Sequence, residues 1–147
     1  GVRKDEAIQT ANQMLKLVGL EPHAGDRYPH EFSGGQRQRI CIARSLATRP
    51  ELLIADEPVS ALDVSVQAQI LQLLEDIKSK FELSMLFITH DLRVAAQVCD
   101  RIAVMRCGEL VEYGTVAKIF SNPQNPYTQE LLNSVPGKNW LVPKFEN

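Results

Sequence analysis

The sequence predicts an α/β fold in which a parallel sheet is flanked by helices, and three stretches carry that prediction. Leu52-Leu53-Ile54-Ala55 is an unbroken apolar run that ends in Asp56, Glu57 and Pro58. This is the pattern of a buried strand that delivers two carboxylates where the chain leaves a sheet. Ser84 to Thr89 is a second run, continuously apolar from Met85 to Ile88, as expected of a parallel strand covered on both faces. Between them Val66, Ile70, Leu73, Leu74, Ile77 and Phe81 recur at helical spacing, which makes 64–81 an amphipathic helix. In open α/β sheets ligands bind beyond the carboxyl ends of the strands, which draws attention to Asp56, Glu57 and the residues after Thr89.

The other elements follow in chain order. Lys4 to Leu20 reads as a helix, with Ile8, Ala11, Leu15 and Val18 on one stripe, Asp5 and Glu6 in the first turn and Gly19 at the end. Glu21 to Glu31, holding Pro22, Gly25 and Pro29, reads as a loop. His23 and His30 in it stand apart from any ligand cluster at metal spacing and read as solvated. Ser33 is a good N-cap, and Gly34 and Gly35 carry no Cβ, so backbone N–H groups can face an anion at the positive mouth of a helix. That helix runs to Thr48 and breaks at Arg49-Pro50, with Ile40, Ala43, Leu46 and Ala47 on one face. Arg37, Arg39 and Arg44 lie largely on others, either as a solvated face or as contacts to a phosphate or partner.

Pro58 biases Glu57 toward an extended backbone, and Asp63 is placed to cap the helix after it. His90 follows the second strand. Asp91 starts a short helix to Val98, and Asp100 to Met105 pairs with Leu110 to Tyr113 across Cys107-Gly108-Glu109 as a hairpin. By composition, Ser121 to Leu132 is a Pro-punctuated loop and a short helix.

With 147 residues, 44% hydrophobic and 23% charged, the chain has the composition of a globular domain of modest size. A formal net charge of -2 leaves no basic footprint for nucleic acid. No apolar run reaches the roughly 18 residues of a membrane span, and the first residues do not read as a signal peptide. Cys41, Cys99 and Cys107 lack metal-ligand spacing and read as reduced thiols of a cytosolic protein.

Phe32-Ser33-Gly34-Gly35-Gln36 resembles the signature motif of ABC-type ATPases, with Phe where that family most often has Leu. Leu53-Ile54-Ala55-Asp56-Glu57 resembles its Walker B strand and adjoining glutamate, Ser60-Ala61-Leu62-Asp63 its D-loop, and Thr89-His90-Asp91 its switch-histidine region. Ser121-Asn122-Pro123-Gln124-Asn125-Pro126-Tyr127, continuing to Leu132 and then Val135-Pro136, resembles the C-terminal extension of bacterial oligopeptide and dipeptide importers, a branch that includes glutathione and nickel systems. No Cys follows Cys107, so the iron–sulfur cluster of some relatives is not expected.

The resemblance implies an incomplete P-loop NTPase-type sheet flanked by helices. Residues 1–48 would form part of the helical subdomain with the signature motif, 49–120 the Walker B, D-loop and switch-histidine part of the core, and 121–147 the extension. It implies ATP and Mg²⁺ as cofactors, with Asp56 on the Mg²⁺ water shell, Glu57 polarising the attacking water and His90 sensing the γ-phosphate. Ser33, Gly34, Gly35 and Gln36 would close on ATP held by a facing subunit, and Asp63 of the D-loop would also be an ATP-binding residue. The implied partners are a second ABC ATPase subunit, transmembrane permease subunits and, indirectly, a substrate-binding protein, at the cytoplasmic face of the inner membrane.

A P-loop, Gly-x-x-x-x-Gly-Lys-Ser/Thr, does not occur; the only Gly-Lys pair, Gly137-Lys138, is followed by Asn139. The chain is therefore expected to be the C-terminal part of such a subunit, inactive on its own. Where the family places its P-loop strand, an open apolar edge is expected along Ser84 to Thr89, with self-association or partial disorder as the result. Two other readings are a soluble ABC ATPase acting on nucleic acid or ribosomes, and a non-catalytic interaction module.

Overall fold

The computed structural model describes residues 2–135; the last part of the expected extension, Pro136 included, lies outside the described residues. The chain forms two compact units, one ending at Ile88 and one beginning at Thr89.

The first unit contains α1 (Lys4–Leu17), α2 (Gly34–Leu46), β1 (Leu52–Asp56), α3 (Val64–Phe81) and β2 (Ser84–Ile88). α1 ends earlier than its apolar spacing predicts, because Gly19 turns the chain at φ +74° and its N–H closes on the Lys16 carbonyl. Only Leu15 and Val18 of the predicted stripe are buried; Ile8 and Ala11 are exposed. The predicted loop of 21–31 is instead two short 3₁₀ turns, Pro22–Asp26 and Pro29–Glu31, each begun by a proline whose fixed φ suits a first helical position. They fold Ala24 and Phe32 onto Leu15, with Leu20 and Ile40 packed alongside.

Arg39 is half-buried and links helices. Its guanidinium donates to the Val18 carbonyl at the end of α1 (2.7 Å) and to Gln69 Oε1 on α3 (3.2 Å), tying three helices together. Arg37 Nε donates to the Phe32 carbonyl (3.0 Å). The two helices that follow the acidic and glycine motifs approach each other closely at Gly35, which is buried, where a Cβ would lie 2.5 Å from Val66 Cγ1.

β1 and β2 pair in parallel, Leu52 opposite Ser84 through Asp56 opposite Ile88. Leu53 and Ala55 are buried, and both line a hollow with Ile42 of α2 and Leu74 of α3. The opposite face differs from the expectation of strands covered on both sides. Leu52 (51%), Ile54 (58%), Leu86 (50%) and Ile88 (44%) are substantially exposed. The helices of this unit cover one face of a sheet that has two strands among the described residues, so both strands also carry an outer edge.

The second unit contains α4 (Leu92–Val98), β3 (Arg101–Arg106), β4 (Glu109–Thr115), α5 (Val116–Ser121) and α6 (Pro126–Ser134). Asp91 caps α4 by accepting from the Arg93 N–H (2.8 Å), and the Arg93 guanidinium on the same carboxylate holds its pKa below the usual range. β3 and β4 form the predicted antiparallel hairpin. Its turn residues Cys107 (φ +50°) and Gly108 (φ +83°) are both left-handed, the backbone that matches strand twist in a two-residue loop. A bulge falls between Val104 and Met105. Ala95, Ala96, Ile102, Val104, Val116 and Ile119 form the core, and Tyr127 and Leu131 of α6 pack against it.

Residues 122–134 are thus built into this unit. Glu112 on β4 accepts from the Gln124 N–H (2.8 Å) and the Asn125 N–H (3.1 Å), while Asn125 caps α6 and its side-chain amide donates to the Val111 carbonyl. The Gln124 N–H, foremost, holds the Glu112 carboxyl below the usual carboxylate range. A depressed carboxylate pKa contributes stability above its unfolded value and loses it as pH falls through the folded value.

Two measurements check these contacts. Gly35→Ala is expected to destabilise the first unit by about 1–3 kcal/mol through overpacking, and adding Val66→Ala should recover most of that loss in thermal melts. Glu112→Gln should raise amide exchange at Gln124 and Asn125 at neutral pH, and the wild type should show the same rise only as pH falls below the folded Glu112 pKa.

Candidate functional site

The site is built where α2 begins and β1 ends. Ser33 and Gln36 form a reciprocal capping box: Ser33 Oγ accepts from the Gln36 N–H (3.3 Å) and Gln36 Oε1 accepts from the Ser33 N–H (3.1 Å). Buried Phe32, with the Arg27 guanidinium stacked 4.4 Å from its ring centre, anchors the residue just before the cap. The box uses the N–H groups of Ser33 and Gln36, so those of Gly34 and Gly35 take no part in it. Only Gly34 is exposed; Gly35 serves the contact with Val66.

Gly34 lines a shallow hollow of about 300 Å³ together with Arg37, Gln38, Cys41, Glu57 and Pro58, closed at one end by the Ala61-Leu62 turn. A second hollow of about 320 Å³ shares Gln38, Cys41 and Pro58 and is lined by Asp56. The structure therefore brings Gly34 and Glu57 to one depression and Asp56 to its neighbour. Arg37, Gln38 and Cys41 escape a motif-based reading. Their signal is the helical spacing from Gly34, which puts residues three, four and seven positions on over one side of α2.

Glu57 departs from the sequence expectation. Its φ is +47°, left-handed rather than extended, although a following proline disfavours helical conformations. The backbone is held on both sides: the Glu57 N–H donates to the Ile88 carbonyl (2.9 Å), and the Glu57 carbonyl accepts from the Ser60 N–H (3.3 Å) and Ser60 Oγ (3.1 Å). A strained conformation kept by such contacts is characteristic of functional positions.

Asp63 caps α3 as predicted, accepting from Ser65 Oγ (2.7 Å) and the Val66 N–H (3.1 Å), and these bonds, Ser65 first, lower its pKa. His90 belongs to the second unit, two residues past the end of β2. Among the described residues no three His, Cys, Asp or Glu side chains gather as a metal cluster. Exposed Asp56 is a single oxygen donor, which fits a hard cation held mainly by waters and ligand oxygens. No helix among the described residues is long and apolar enough to cross a membrane.

Comparison with known proteins points to one family. Residues 2–60 match the ABC transporter family, and residues 111–140 match the C-terminal region of oligopeptide/dipeptide transporters. The chain is 52% identical over 134 residues to the glutathione import ATP-binding protein GsiA of Pectobacterium atrosepticum, covering 91% of this chain and 22% of that protein. It is 53% identical over 131 residues to the oligopeptide transport ATP-binding protein AppF of Bacillus subtilis (89% and 40%). With the dipeptide transport ATP-binding protein DppF of Lactococcus lactis subsp. cremoris it shares 51% over 138 residues (92% and 44%).

Among solved structures, it resembles an ATP-binding cassette of an ABC transporter in its ADP conformation, with a TM-score of 0.76 and 25% identity over 91% of this chain and 52% of that one. An ABC transporter solved in an inward-facing conformation gives a TM-score of 0.78 and 28% identity (92% and 51%). The fold is that of an ABC ATPase domain, present in part. The chain is thus similar to the ABC transporter family over residues 2–60 and to the C-terminal region of oligopeptide/dipeptide transporters over residues 111–140. It spans between 22% and 44% of the length of these curated relatives.

The left-handed backbone of Glu57 gives a direct check on the strain. Glu57→Gly should be more stable than Glu57→Ala by about 1 kcal/mol, because both remove the side chain and only glycine relieves a positive φ. Chemical denaturation of the two variants measures the difference.

Proposed function

We propose that this chain is the signature-motif and Walker B part of an ATP-binding subunit that hydrolyses ATP to drive peptide uptake. The observation that carries the reading is Asp56 and the strained Glu57 delivered side by side at the carboxyl end of β1. Phosphoryl transfer needs positioning and charge stabilisation more than covalent chemistry, and two adjacent carboxylates at one strand end supply complementary parts of that.

Ser33, Gly34, Gly35 and Gln36 would meet the phosphates of ATP bound to a facing subunit, with Gly34 the closest approach and Gly35 and the Ser33–Gln36 box fixing the helix mouth. Asp56 would hold Mg²⁺ through its waters, and Glu57 would take a proton from the attacking water as general base. Asp63 would keep its turn at the subunit interface, and His90 would contact the γ-phosphate. Residues 1–48, 49–120 and 121–147 would then act as helical-subdomain part, catalytic part and extension. The subunit would pair with a second ATPase subunit and with membrane permease subunits at the cytoplasmic face of the membrane, and the names of its relatives favour peptides as cargo, glutathione among them. A second reading, a non-catalytic interaction module, is favoured by the exposed apolar sheet face of Leu52, Ile54, Leu86 and Ile88.

ATP turnover decides between them. The chain alone should hydrolyse essentially no ATP, and mixing it with a folded segment that carries a P-loop should restore turnover. Glu57→Gln in the mixture should lower the rate about a hundredfold or more, the contribution of a general base. A folded mixture with no turnover selects the interaction module.

A further inference from the structure

In the turn after β1 the hydrogen bonds converge on one residue. Glu57 donates its N–H to Ile88 (2.9 Å), so the parallel ladder continues one residue past the end of β1 before the chain swings to φ +47°. That swing is retained by Ser60, which places two donors on the Glu57 carbonyl, its N–H at 3.3 Å and its Oγ at 3.1 Å. Pro58 and Val59, the residues between, are buried, so the turn is anchored at its middle as well as at its ends. A left-handed residue before a proline is disfavoured on its own and persists where its surroundings hold it.

We propose that Ser60 is a positioning residue for Glu57: its hydroxyl, working with the Ile88 carbonyl, locks the Glu57 backbone in the left-handed conformation that directs the Glu57 side chain. The catalytic consequence rests on the functional reading above, in which Glu57 is the general base. Ser60 itself touches no reacting atom in this scheme. Its hydroxyl supplies direction, and a displaced general base loses rate without losing substrate affinity.

Two readouts separate the backbone claim from the catalytic one. Amide hydrogen exchange on this chain should show the Glu57 N–H exchanging about tenfold faster in Ser60→Ala, the size of one hydrogen bond, with the α3 amides unchanged and Ser60→Thr close to wild type. In the mixture with the P-loop-bearing segment, Ser60→Ala should lower kcat about tenfold or more with KM for ATP within about twofold, and Ser60→Thr should restore kcat. Unchanged exchange at Glu57 overturns the lock. Faster exchange with unchanged kcat overturns the positioning role and leaves Ser60 as a turn former. A wild-type mixture with no turnover overturns the catalytic reading of Glu57 and with it the catalytic consequence, while the exchange result still decides whether Ser60 holds the backbone.

Discussion

The hydrogen bond from the Glu57 amide to the Ile88 carbonyl fixes where the sheet of the first unit stops and its site starts. Up to Asp56 the chain is an ordinary parallel strand, in register with β2. One residue later the backbone is left-handed and the chain turns back toward α3. Because the ladder reaches Glu57 itself, the position of that residue is referred to β2 rather than to a loose connection. Its neighbours on the same hollow, Gly34, Arg37, Gln38 and Cys41, are carried by a single helix. The site is therefore a strand end facing a helix mouth, both rigid elements.

The placement of that helix rests on a few long-range contacts. Arg39 joins the end of α1 to α2 and α3 through two hydrogen bonds. Phe32 is buried against Leu15 and Ala24 immediately before the capping box. Gly35 lets α2 approach Val66 at a distance that no other residue allows without displacement. A glycine pair that looks like one anion-binding device is thus divided between two tasks, with Gly34 open to the hollow and Gly35 closing the helix contact.

The sheet face bearing Leu52, Ile54, Leu86 and Ile88 combines an apolar surface with strand edges, the kind of surface that invites pairing with further polypeptide. The solved ABC structures that the chain resembles are about twice the length it spans, at 52% and 51% coverage. The second unit likewise exposes Met105, Leu110 and Tyr113 on its two-stranded hairpin. Its hairpin, α5 and α6 share one core, and Glu112 and Asn125 stitch the extension to β4.

The sequence by itself determined the local structure of this protein. The apolar runs located both strands of the first unit, the apolar spacing located α1 and α3, and Ser33, Asp63 and Asp91 were legible as caps, because periodicity and capping act within one turn of chain. The four motifs were legible for the same reason, each being a short contiguous string. The tertiary structure alone decided the exposed sheet face, the role of Gly35, the use of Arg39 as a tie between helices, the left-handed Glu57 and the docking of the extension on Glu112. Each of these depends on a partner distant in sequence: Val66 for Gly35, Val18 and Gln69 for Arg39, Ile88 for Glu57, Gln124 and Asn125 for Glu112. Local preference at Glu57 even pointed the other way, toward extended backbone, and the ladder bond together with the Ser60 contacts outweighed it.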